Sequence, residues 1–282
     1  MEHLTLIRGL SYSHRMRRRR LTLSACLGML CVFVMPTVGF ADPVSGVIDV
    51  DTVWSGTVNV EGDVVVQCGA LLTIEPGSEI LFAADSSVYD DSLGIGGLCD
   101  LIVLGAMTAE GGASSADSIL FDSDSATPAP GQWGKIHIAA VAVDSLCRYE
   151  YLRVAHGTLG LEVHGDVSLG HSVATENLNH GVDWSDPTSA VVLTSTACGG
   201  NGGDGLRLSS VDSLTLSGCR FEGNSGSGVY VSGDAATWVS ACTWSLAPGV
   251  RSFPPRRFRA WSTRMAHFLT STACGPGPKR SR

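Results

Sequence analysis

Residues 191 to 231 read VVLTSTACGGNGGDGLRLSSVDSLTLSGCRFEGNSGSGVYV, one structural unit written twice. Leu193 and Leu216 each close a short apolar strand, Val191-Val192-Leu193 and Leu214-Thr215-Leu216. Three positions on stands a small residue (Thr196, Cys219), eight on an asparagine (Asn201, Asn224), and twelve on a glycine (Gly205, Gly228). Each glycine opens a second strand, Gly205-Leu206-Arg207-Leu208 and Gly228-Val229-Tyr230-Val231. The phase extends both ways. Upstream, Leu169 is followed at the same offsets by Ser172, Asn177 and Gly181-Val182-Asp183-Trp184, and Gly160-Leu161-Glu162-Val163 is the same strand one unit earlier. Downstream, Thr237-Trp238-Val239 and Cys242 keep the first two positions. The markers Leu169, Leu193, Leu216 and Val239 are spaced 24, 23 and 23 residues apart.

A period in this range marks a stacked repeat. Strand alternation puts two side chains of each short strand on one face and one on the other. Strands of three or four residues bury too little to stand alone, and an open sheet would leave its edges unpaired. Coiling the chain so that each unit pairs in parallel with the next turns every apolar face inward, and stability becomes a sum of contacts between neighbouring turns. The expected fold is all-β: a single right-handed parallel β-helix of about 23 residues per turn. Asn177, Asn201 and Asn224 are expected to form an amide ladder at a tight corner. Gly181, Gly205 and Gly228 are expected to give that corner its backbone freedom.

The N-terminal half carries the same grammar less regularly. Val58–Val60, Val64–Val66, Leu71–Ile74 and Ile80–Phe82 alternate with turns, a longer loop spans roughly residues 83 to 98, and a Pro-containing loop spans Thr127–Gln132. The segments LLTIEPGSEILF (71–82), LIVLGAMTAEGGASSADSILF (101–121), PGQWGKIHI (130–138) and LCRYEYLRVAHGTLGLEV (146–163) resemble the right-handed parallel β-helix repeat proteins of pectate-lyase-like architecture. The resemblance covers approximately residues 46 to 246 and implies a fold. That architecture hosts lyases, hydrolases, adhesins and scaffolds alike, so no catalytic residue carries over from it.

The chain has 282 residues, 34 of them Gly, and a net charge of −8 that divides into three parts. Residues 1–41 hold six Arg and one Glu, residues 42–248 five basic against 26 acidic residues, and residues 249–282 eight basic and no acidic ones. The acidic body repels phosphate backbones, which excludes nucleic acid as an expected partner and favours cations. Arg17–Arg20, the apolar run Leu21–Val34 and Gly39-Phe40-Ala41 have the order of a cleavable export signal, with cleavage after Ala41 and a possible true start at Met16. Leu23-Ser24-Ala25-Cys26 resembles a lipoprotein box, but the apolar run follows it where it should precede it. The product is expected to be secreted, periplasmic or at the cell surface, with no membrane span after cleavage. Cys68, Cys99, Cys147, Cys198, Cys219 and Cys242 fit no metal-binding spacing and read as small buried residues of the coil.

The rule fails after Val239. It predicts Asn at 247 and Gly at 251, where the chain has Ala247 and Arg251. Leu269–Gly275 then repeats the LTSTACG of Leu193–Gly199. A shift of reading frame near residues 244–250 accounts for both. It makes residues 249–282 a non-repeat basic tail and leaves the last turn of a truncated coil as an uncapped edge.

Candidate site residues lie on the outward faces. Glu162, Asp183, Arg207 and Tyr230 occupy the same outward position in successive units, so they stack about one strand spacing apart. A carboxylate pair beside Arg207 is what a polyuronate lyase would use, the acids holding a cation and a basic group taking a proton. Tyr230 offers a ring face to a sugar. Trp238 shares its outward phase with Ser168, Val192 and Thr215, an apolar patch for a partner. Asp122 and Asp124 are candidate calcium ligands, the one cofactor weighed. His137, His156, His164, His171 and His180 show no regular ligand spacing, and Trp133 reads as a packed residue opening a strand. The expected function is an exported scaffold, adhesion or glycan-binding module without catalysis. The alternative is a lyase or glycoside hydrolase acting on an acidic polysaccharide.

Overall fold

The structure, a computed structural model, describes residues 43–84, 97–139, 142, 147–187, 191–232, 236–244 and 258–259. The export signal, most of the loop after Ala84, and Ala247 and Arg251 lie outside the described residues. Among the described residues every regular element is a β-strand. Hydrogen bonding joins the strands into a fifteen-stranded and a nine-stranded sheet. All pairings are parallel, and they define a parallel β-solenoid.

Three rows of strands follow one another along the chain. Thr57–Val66 is one ten-residue strand where the sequence suggests two, and it joins two of the rows. Its first half pairs Val58 with Ile80, and its second pairs Val64 with Leu101. The first row then runs through Ile136–Ile138, Leu161–His164, Val182–Ser185, Leu206–Ser209 and Val229–Ser232. The second runs through Ile119–Ser123, Leu152–Ala155, Val173–Thr175, Ala197–Gly199 and Arg220–Glu222. The third is the nine-stranded sheet, and it contains the phase markers. Leu169 pairs with Leu193, Leu193 with Leu216, and Leu216 with Val239, as the spacing requires. Earlier rungs are less even: Val64 pairs with Leu101 and Leu101 with Ile136, 37 and 35 residues apart.

Alternation fills the interior. In the first row Leu161, Val163, Val182, Trp184, Leu206 and Leu208 are at most 2% exposed. Each such aliphatic side chain stabilises the fold by about 2 kcal/mol relative to exposure. Trp133 is fully buried, stacks on Phe82 with ring centroids 4.2 Å apart, and donates Nε1–H to Ala155 O at 2.7 Å. Cys99, Cys147, Cys198, Cys219 and Cys242 are buried free thiols, whereas Cys68 is exposed. Burial pushes the Cys99 thiol up to about 12. The small inward positions Ser172, Thr196, Cys219 and Cys242 stack at one corner, each at most 3% exposed.

The asparagine ladder forms in the expected register. Asn177 Nδ2 donates to Asn201 Oδ1 at 3.0 Å, and Asn201 Nδ2 donates to Asn224 Oδ1 at 2.9 Å. The same oxygens accept the backbone N–H of the preceding asparagine, at 3.1 and 3.0 Å. The expected role of the glycines needs correction, for none of Gly181, Gly205 and Gly228 has a positive φ. Gly181 and Gly205 are required by close approach. A Cβ on Gly205 would lie 2.7 Å from both Gly228 O and Asn224 Nδ2, and one on Gly181 would meet Gly205 O and Asn201 Nδ2 at 2.7 and 2.8 Å.

The left-handed conformation sits elsewhere, two residues past an inward residue at the end of each strand. After the third row it recurs at Tyr151, His171, Ser195, Gly218 and Ala241 (φ 56, 50, 50, 66 and 51°). After the second it recurs at His156, Glu176, Gly200 and Gly223, and after the first at Gly165, Asp186 and Ser210. Eight of these twelve are not glycine, each at a cost of about 1–2 kcal/mol. Stacking in register holds these bends, which is why local composition does not reveal them.

Among the described residues Val229–Ser232 ends the first row and Thr243–Trp244 the second. Phe258–Arg259 pairs with Thr237–Trp238, so the third row continues past the point where the repeat rule fails.

Candidate functional site

The outward face of the first row carries a cluster of charged side chains. Because Leu101, Ile136, Leu161, Val182 and Leu206 point inward, the next residue of each strand points out. Ile102, His137, Glu162, Asp183, Arg207 and Tyr230 therefore form one in-register file. Two residues further along, His164, Ser185, Ser209 and Ser232 form a second. The four residues expected from the repeat are thus brought together in order, and the structure adds Lys135, His137 and His164 to them.

Glu162 is the centre of the group. Its Oε2 accepts from Lys135 Nζ at 2.6 Å and lies 2.7 Å from His137 Nδ1, while its Oε1 is 3.7 Å from His164 Nε2. The hydrogen bond with His137, helped by the Lys135 ammonium, holds the Glu162 carboxyl down at about 2, against the opposing effect of burial. His164 Nδ1 is fixed by Ser185 Oγ at 2.7 Å. Behind the strand, Asp100 Oδ1 accepts the Lys135 N–H at 2.9 Å, and burial pushes its carboxyl up to about 6. The rung of Lys135 and His137 precedes the units from which the repeat was phased, so Lys135 was not singled out and His137 was not joined to the file. The alternating pairs Lys135-x-His137 and Glu162-x-His164 were the available signal.

At the far end of the file Arg207 turns away from the carboxylates. Its guanidinium lies 5.7 Å from the centroid of the Tyr230 ring, and Nη1 is 3.1 Å from His180 Nε2. Tyr230 is 44% exposed and presents a ring to solvent. Asp183 stands between Glu162 and Arg207 in the register. The row is therefore two groups: a Lys–His–Glu–His cluster at one end and a cation–aromatic pair at the other.

The remaining candidates fall apart. Asp122 Oδ1 lies 2.7 Å from His156 Nδ1, and the other nitrogen of that imidazole lies 2.9 Å from Glu176 Oε2. Asp124 Oδ1 instead accepts the Ala84 N–H at 2.9 Å. The two aspartates thus make different contacts. Trp238 pairs with Thr215 and Arg259 in the third row, where Val192 is 47% exposed. A shallow cavity of about 230 Å³ lies on another surface, lined in part by Tyr151, Arg153, His171 and Ser114. His171 stacks on Tyr151 with centroids 4.7 Å apart, and its Nδ1 is 2.9 Å from Glu150 Oε2.

The fold and this face define an all-β parallel solenoid with a charged outer file. No protein-family model, no curated protein and no solved structure matches the chain.

Proposed function

We propose that this chain is an exported right-handed parallel β-helix of about 23 residues per turn, of pectate-lyase-like architecture. Its body, residues 42–248, acts outside the cytoplasm as a non-catalytic scaffold that binds a glycan. The observation that carries this reading is Arg207 over the exposed Tyr230 ring, 5.7 Å from its centroid. An aromatic face takes the C–H side of a sugar ring, and the adjoining guanidinium takes a uronate carboxylate. Strands hold both groups, so little ordering is needed on binding. Lys135 Nζ is engaged by Glu162 Oε2 at 2.6 Å, a contact that supports a binding role for this face.

Calorimetric titration with polygalacturonate and alginate tests the reading, run beside an ultraviolet assay for unsaturated products. Binding without product is expected, with Tyr230→Ala and Arg207→Ala each weakening it by about tenfold (about 1.4 kcal/mol). Product that forms and disappears in Glu162→Ala or Arg207→Ala would replace this reading with the lyase. Binding unchanged in both Tyr230→Ala and Arg207→Ala would refute it.

A further inference from the structure

We propose that His137, Glu162 and His164 form a binding site for a divalent transition-metal ion, zinc fitting best. One ligand atom from each residue lies within 4.8 Å of the other two. Four-coordinate zinc with bonds of about 2.0–2.1 Å places its ligands about 3.3 Å apart. Glu162 reaches the two imidazoles through different oxygens, 2.7 Å from Oε2 to His137 Nδ1 and 3.7 Å from Oε1 to His164 Nε2, so the carboxylate must turn to offer one oxygen to the ion. Rotation about side-chain torsions does this without moving a strand.

The ligands come from two paired strands. His137 and Glu162 are direct register partners, and His164 is two residues beyond Glu162 on the same outward face. Such placement is more rigid than a loop site. Ser185 Oγ, 2.7 Å from His164 Nδ1, supplies the outer contact that metal-bound histidines need. When that hydroxyl accepts the Nδ1 proton, the Nε2 lone pair faces the site. Two imidazoles and one carboxylate select zinc and its neighbours in the transition series over calcium or magnesium, which require oxygen ligands. The side chains of His137, Glu162 and His164 are 25%, 24% and 32% exposed, so a fourth position is open to water or an external ligand.

Lys135 is the competitor. Its ammonium holds Glu162 Oε2 at 2.6 Å, and its side chain is 34% exposed, free to swing into solvent when an ion arrives. Metal entry therefore displaces Lys135 from Glu162 Oε2. The site is independent of the glycan reading, which rests on Arg207 and Tyr230, two and three rungs from Glu162.

The test is titration of the full mature protein with Zn²⁺ by calorimetry and with Co²⁺ by visible absorption, against Ca²⁺ and Mg²⁺ as controls. One zinc per chain is expected, with d–d bands for cobalt. His137→Ala or His164→Ala should weaken binding at least tenfold, and Ser185→Ala by about ten- to a hundredfold. His171→Ala, elsewhere on the coil, should change nothing. Lys135→Ala should tighten binding severalfold, and because it leaves all three ligands in place a folding defect cannot produce that result. Absence of zinc and cobalt binding to the wild-type protein would overturn the proposal. So would equal affinity in the His137→Ala/His164→Ala double variant, or weaker binding in Lys135→Ala.

Discussion

Replacing Asn201 by alanine removes four hydrogen bonds from a corner that water does not reach. Asn201 Oδ1 accepts from Asn177 N at 3.1 Å and Asn177 Nδ2 at 3.0 Å, and its Nδ2 donates to Asn224 Oδ1 at 2.9 Å and Ala174 O at 3.2 Å. Asn224 Oδ1 keeps the Asn201 backbone N–H at 3.0 Å, so it is not orphaned. Asn177 N, Asn177 Nδ2 and Ala174 O lose the partner that Asn201 gave them. Asn177, Asn201 and Asn224 are 0%, 1% and 3% exposed. An unmet buried polar group costs about 1–3 kcal/mol, and partial entry of water lowers the sum of three to about 3–5 kcal/mol. Urea unfolding of the mature body, followed by far-ultraviolet circular dichroism, reads the loss as a lower midpoint. Asn201→Asp should cost more than Asn201→Ala at neutral pH, because it sets a carboxylate against two acceptor oxygens. Ser209→Ala, on the outward face, should stay within about 0.5 kcal/mol of wild type. A loss below about 1 kcal/mol for Asn201→Ala, at unchanged slope, would show that the ladder contributes little.

Two further changes test the electrostatics and the backbone. Asp100 is raised from 3.8 to about 6 by burial, so the folded state holds its proton more tightly than the unfolded state. Its contribution therefore falls as pH rises from about 4 to about 6, by roughly 1–2 kcal/mol after discounting for partial exposure. Asp100→Asn should abolish that fall and raise the melting temperature at pH 7. The acid limb set by Glu162, whose contribution is present above 4.5 and lost as pH drops toward about 2, should survive. An identical pH profile for Asp100→Asn and wild type between pH 4 and 6 would refute the assignment. Glycine exchanges should act in opposite senses. Ala241→Gly relieves a left-handed residue (φ 51°) and should stabilise by about 0.5–1 kcal/mol, whereas Gly205→Ala forces a Cβ against backbone and should cost about 1–3 kcal/mol. Thermal unfolding of the pair checks both, and the reverse order would contradict the corner geometry.

The period of the later repeats, read from the sequence alone, determined which residues face in, where the asparagines stack, and that Glu162, Asp183, Arg207 and Tyr230 share one file. All follow from two local regularities: alternation along a strand and equal spacing between strands. With both fixed, the register from Leu169 to Val239 has no freedom left. Only the tertiary structure could decide what rests on unequal spacing or on close approach. Val64 pairs with Leu101, and Ile136 pairs with Leu161 25 residues on where the next step is 21, and no local pattern encodes such unequal steps. That pairing alone brings Lys135 and His137 onto Glu162. The same holds for the bends: Ser195, Ala241 and His171 adopt left-handed backbone because the turns beside them do, while Gly181 and Gly205 are small because the next turn lies against them. The sequence thus determined the coil and its phase, and packing between turns decided which charged groups meet on its surface.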